Sequence, residues 1–150
     1  MRAIGEKVGL TGLSTIVVPN EDAATRVRSA IGEGLAAADV RIEPLDGLPF
    51  DEAVYDVAIV HNGDGLLAAL EPAVRDGAMR ECRRVLRSGG RVIVLDRGTP
   101  TGLRALFGGR AKPAAGVDTV AALRAAGFDA VRVLGDRQGY RFIEGLKSGR

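Results

Sequence analysis

The sequence holds one histidine, His61, and one cysteine, Cys82. His61 and Asn62 directly follow the apolar run Val57–Val60. An imidazole titrating near neutral pH can serve as a general base. No acid stands at a recognisable spacing to orient it, so a loop histidine bonded to its neighbours is the competing reading. Asp64 lies in a Gly63-Asp64-Gly65 tract, which reads as a turn. One histidine and one cysteine do not build a usual zinc site, so no metal is expected. Cys82 falls at helical spacing with Val74, Ala78 and Val85, as a packed small residue rather than a nucleophile. A hydrolase triad lacks its Gly-x-Ser-x-Gly elbow. Gly108-Gly109-Arg110-Ala111-Lys112 follows no strand and lacks the Lys-Ser/Thr ending of a phosphate loop.

The elements that must position these residues alternate. Ser14–Val18 reads as a short strand broken by Pro19-Asn20. A helix follows, with Asn20 as N-cap, Glu21 and Asp22 at its positive end, and Ala23, Val27, Ala30, Ile31 and Leu35 on one face. Val40–Glu43 is a second strand, and Asp46–Asp51 a turn on Gly47 and Pro49. Tyr55–Val60 is continuously apolar, the pattern of a strand buried on both faces. A helical stretch then runs to Leu86, interrupted or restarted at Pro72, and Gly89-Gly90 closes it. Arg91–Asp96 is a further buried strand. Thr101–Gly116 reads as a loop with a short helix near Leu103–Phe107, and Val117–Ala126 as a helix. Ala130–Leu134 and Tyr140–Leu146 are joined too briefly for a crossover, so they form an antiparallel hairpin across the turn 135–139. The expected fold class is α/β, a mostly parallel sheet with helices on both faces and an antiparallel C-terminal hairpin.

At 150 residues the chain fits a single domain, 1–150. Its 46% hydrophobic and 27% charged residues are those of an ordinary globular protein. No apolar run is long enough to span a bilayer, the first ten residues carry no signal core, and a lone cysteine forms no internal disulfide. A cytoplasmic location is therefore expected. The net charge is only +2, with arginines spread among carboxylates, which gives no support to nucleic-acid binding.

Two motifs carry a family resemblance. Leu48-Pro49-Phe50-Asp51 followed by Tyr55-Asp56-Val57-Ala58-Ile59-Val60 resembles a stretch of the class I S-adenosylmethionine-dependent methyltransferases. Glu81 with Arg84-Val85-Leu86-Arg87-Ser88-Gly89-Gly90-Arg91-Val92 resembles a second signature of that family. The branch most similar is the small-molecule one that includes ubiquinone and menaquinone biosynthesis enzymes. The resemblance implies a Rossmann-like methyltransferase fold and S-adenosylmethionine as cofactor. Neither motif performs chemistry, so activity depends on other residues.

By that resemblance, the first strand should end in a glycine-rich loop that approaches the cofactor closely. Nothing matches it. Gly5, Gly9 and Gly12 have the wrong spacing, and Met1–Val8 reads as the tail of the helix after such a loop. The acid expected to hold the ribose is replaced by Asn20, whose amide offers one acceptor oxygen and no charge. Glu21 could substitute, or simply complement the helix dipole. Pro44 stands where an acid should reach the adenine amino group; Asp46 is displaced, and Asp before Gly is an ordinary turn signal. Leu48 would shape a wall of the pocket, and His61 and Asn62 would stand at its strand-end rim.

The expected first strand is central in the family's sheet, and its loss would leave two strands with unpaired backbone groups. The flanking strands could close up and pair, a second copy or another protein could fill the gap, or the natural polypeptide could be longer. The reading is a methyltransferase-like protein with a degenerate cofactor site, non-catalytic alone and acting through a homodimeric or heteromeric partner. Its alternative is a small-molecule methyltransferase completed by a second chain.

Overall fold

The computed structural model describes residues 12, 14–31, 38–97 and 117–149. The short helix expected near Leu103–Phe107, the Gly108–Lys112 segment and the helix tail at Met1–Val8 lie outside the described residues. The chain divides into two compact units, Met1–Pro49 and Phe50–Arg150.

The first unit holds β1 (Thr15–Val18), α1 (Glu21–Ile31) and β2 (Asp39–Ile42). The strands pair in parallel, from Thr15 opposite Asp39 to Val18 opposite Ile42. A helical connection is what parallel neighbours require. Asn20 ends β1 and caps α1: its Oδ1 accepts from the Ala23 amide at 2.9 Å. Among the described residues of this unit, Val18 and Ala24 are the buried apolar side chains.

The second unit holds β3 (Tyr55–Asn62), α2 (Leu66–Ala69), α3 (Pro72–Val85), β4 (Leu86–Arg97), α4 (Thr119–Ala125), β5 (Asp129–Arg137) and β6 (Tyr140–Leu146). Its sheet runs in the order β3-β4-β6-β5. β3 and β4 are parallel, and β6 is antiparallel to both β4 and β5. The expected hairpin is present, closed by a two-residue turn at Gln138 and Gly139. Both have positive φ (54° and 83°), the backbone that matches the strand twist.

Pro72 starts a new helix at its first turn, where its missing N–H costs no hydrogen bond. The interruption expected there therefore separates α2 from α3. The two glycines after α3 have different duties. Gly89 sits at φ 78°, in the left-handed region. At Gly90 an added Cβ would lie 2.8 Å from the Arg87 carbonyl oxygen and 3.1 Å from that of Asp56. The first turns the chain and the second lets it pass close to β3. Both fall inside β4, which begins at Leu86 rather than at Arg91.

The core gathers Leu67, Met79, Leu86, Val92, Val94, Leu123, Phe128 and Ile143, with Ala58 and Val60 packed against it. Strand alternation sends Val57 and Ile59 to the other face, where they are 46% and 47% exposed. The expectation that β3 is buried on both faces is thus corrected: a continuous apolar run does not reveal which side is covered. Among the described residues β1 pairs with β2 in the first unit and β3 with β4 in the second.

Candidate functional site

Ligand crevices in open α/β sheets form beyond the carboxyl ends of the parallel strands. At the ends of β3 and β4 the chain builds a polar network. Asn62 is buried; its Nδ2 donates to Asp96 Oδ1 at 2.9 Å, and its Oδ1 accepts from the Leu67 amide at 2.8 Å. Asp96 Oδ1 also accepts from the Arg97 amide, and its Oδ2 from the Thr119 hydroxyl at 2.7 Å. Asn62 and Asp96 are register partners, so their side chains share the helix-covered face. The network ties β3 to β4, to the start of α2 and to the start of α4. Buried polar groups satisfied in this way hold a fixed geometry.

His61 lies on the opposite face and is exposed. Its ring is 5.9 Å from that of Tyr140, tilted by 54°. Gly63 fits beneath both: a Cβ there would be 2.6 Å from Tyr140 Cε1 and 3.0 Å from His61 Cε1. Among the described residues, a tyrosine ring is therefore the neighbour recorded for His61. The row that continues from Tyr140 holds Arg97 on β4 and Arg137 on β5.

The two family-like motifs meet at Arg84. Its Nε and Nη2 donate to the two carboxylate oxygens of Glu81 at 2.7 and 2.8 Å, and its Nη1 donates to the Phe50 carbonyl at 2.7 Å. Backbone bonds from the Ala53 amide to the Arg84 carbonyl and from Val54 to Val85 extend the join. Phe50 meets Tyr55 edge to face, with ring centroids 5.6 Å apart. Lys147 Nζ donates to the Leu86 carbonyl at 2.6 Å and to that of Arg84 at 3.2 Å. Glu81 holds Arg84 protonated by hydrogen bonding and charge, raising its pKa.

The first unit's candidates are placed as follows. Asn20 caps α1, with one lone pair of its amide oxygen given to Ala23. Glu21 pairs with Arg28 at 3.3 Å on the exposed face of α1. Asp46 is exposed within the turn that the Gly47 amide closes onto the Pro44 carbonyl at 3.3 Å. Leu48 is half-buried after that turn. Cys82 packs against the core; burial, then the Glu81 charge, pushes its thiol up to about 11. Among the described residues no group of three or more His, Cys, Asp or Glu side chains gathers to hold a metal ion. No described helix is long and apolar enough to cross a membrane.

Sequence reasoning missed Asp96, Thr119 and Tyr140. Asp96 could have been found as a strand-end acid after a buried run; Thr119 and Tyr140 carry no local signal.

A family model described as "Methyltransferase domain" matches residues 10–94. No curated protein matches in sequence. Solved structures do share the fold. A SAM-dependent methyltransferase from Aquifex aeolicus is 14% identical, with a TM-score of 0.67 over 97% of this chain and 74% of its own. A SAM-dependent methyltransferase from Thermotoga maritima, described as a possible histamine N-methyltransferase, is 20% identical, with a TM-score of 0.62 over 90% and 73%. PigF with SAH is also 20% identical at a TM-score of 0.62, but the 97% of this chain that aligns spans only 46% of PigF. At these identities the likeness is one of fold, and the fold is the Rossmann-like one that the motifs imply. With more than half of its residues under the family model, the chain belongs to the class I S-adenosylmethionine-dependent methyltransferases.

Proposed function

We propose that this chain is a methyltransferase-like protein whose S-adenosylmethionine site is degenerate, and that on its own it acts by binding a protein partner rather than by methyl transfer. The observation that carries this reading is the engagement of the polar side chains that resemblance would assign to the cofactor. Asn20 caps α1 through the oxygen a ribose hydroxyl would need. Glu21 faces Arg28. Asn62 has both amide atoms bonded within the fold. A ribose diol presents two O–H donors, and a neutral amide with one lone pair occupied serves it far less well than a carboxylate. The residues present do not fit the cofactor well.

The partner, a second copy or another protein, would add a strand beside β3. Support comes from the place of β3 at the end of its four-stranded sheet among the described residues, with Val57 and Ile59 exposed on it, since a sheet edge is a template for another chain. The second reading is an active enzyme, transferring a methyl group to a small molecule once that chain is in place. The exposure of His61 near the carboxyl end of β3 favours it. Release of S-adenosylhomocysteine from S-adenosylmethionine separates the two. None is expected from the isolated chain, and steady turnover by it would overturn the proposal.

A further inference from the structure

Arg97, Tyr140 and Arg137 are direct cross-strand partners on β4, β6 and β5. Partners in a ladder share a face, so the three side chains rise in one row at the carboxyl end of β4. Both arginines are exposed, and no ion pair among the described residues involves either. The adjacent acids are engaged elsewhere: Asp96 with Asn62 and Thr119, and Asp136 with Arg141 at 3.1 Å. Strand alternation also directs both acids to the opposite face. Two like charges thus stand in one row with no ion-pair partner among the described residues, an arrangement that a bound anion would relieve.

The middle of the row is fixed. Tyr140 rests against His61 and leaves no room for a Cβ on Gly63. The two-residue turn at Gln138-Gly139 pins Arg137 opposite Tyr140. The arginine backbones are two strand spacings apart, about 10 Å. Two extended guanidinium side chains converge readily over that gap, and their planar forks match the oxygens of carboxylate or phosphate.

We infer that Arg97 and Arg137 clamp the oxyanion of a small ligand, a carboxylate or phosphate group, above the Tyr140 ring. The site is independent of whether S-adenosylmethionine binds. The test follows the arginine Nε–H signals of the full chain by NMR during titration with inorganic phosphate and, separately, with benzoate. Saturable shifts at Arg97 and Arg137 are expected from at least one probe, and the tighter of the two identifies the anion class. The R97Q/R137Q double variant, followed through the backbone amide of Tyr140, should weaken binding about tenfold or more, a loss of charge-assisted hydrogen bonds. Arg28→Gln, on α1, should leave it unchanged. Both substituted positions are exposed, and the same spectra report whether the variant is folded. Shifts that never saturate with either probe, or an affinity that survives in the double variant, would overturn the inference.

Discussion

Arg84 Nη1 donates to the Phe50 carbonyl at 2.7 Å while the other two donors of the same guanidinium grip Glu81. One side chain near the end of α3 thus binds the turn that precedes β3, and the two sequence motifs become one structural joint. Arg84→Ala should destabilise the chain by about 2–3 kcal/mol, because the half-buried Glu81 and the Phe50 carbonyl both lose charge-assisted partners. Arg84→Lys should cost less but still be measurable, since an ammonium cannot reproduce the two-pronged grip. Urea denaturation of both variants reads the order. Equal stability of all three proteins would remove the joint from the account.

The paired glycines predict two costs of different origin. Gly90→Ala puts a Cβ 2.8 Å from the Arg87 carbonyl oxygen, and overpacking of this kind costs about 1–3 kcal/mol. Gly89→Ala meets nothing within 4 Å and suffers only its left-handed backbone, about 1 kcal/mol. Thermal melts should rank Gly90→Ala below Gly89→Ala, and the reverse order would contradict the packing argument.

Gln138 occupies a left-handed position, φ 54°, that asparagine tolerates better. Gln138→Asn should stabilise the hairpin by about 0.5–1 kcal/mol, seen as a higher denaturation midpoint with an unchanged slope. A lower midpoint would show that the glutamine side chain is needed where it stands.

Cys82 gives a prediction in pH. Burial raises its thiol from 9.0 to about 11 in the folded chain. Below the unfolded value both states keep the proton and the contribution is fully present. As pH rises from 9 toward 11, the unfolded chain ionises first and that stability is lost. Wild type should therefore lose stability faster than Cys82→Ala across this window. At pH 8 the folded thiol should resist iodoacetamide, whereas labelling in urea should be rapid. Fast labelling of the folded chain would contradict its half-buried placement against the core.

Much of the fold was legible because its signals are local. Turn residues bound Tyr140–Leu146, Asn20 stands before a helical apolar face, and Pro72 marks the interruption or restart of the helical stretch. What was illegible depends on partners distant in sequence. Asn62 reads as a rim residue in the sequence because its bond to Asp96, 34 residues away, leaves no trace in the local pattern. Thr119 reaches the same carboxylate across 23 residues. Val57 and Ile59 look identical in the sequence to the inward Ala58 and Val60, since coverage of a face is decided by helices elsewhere. The motifs announced the fold, but the clamp of Arg84 on Phe50 needed coordinates.

We propose that the isolated chain does not hold the cofactor. Calorimetric titration with S-adenosylmethionine and S-adenosylhomocysteine tests it most directly. The account predicts no binding heat from a folded sample even at millimolar ligand. Saturable binding at micromolar concentration would contradict it and return methyl transfer to the front.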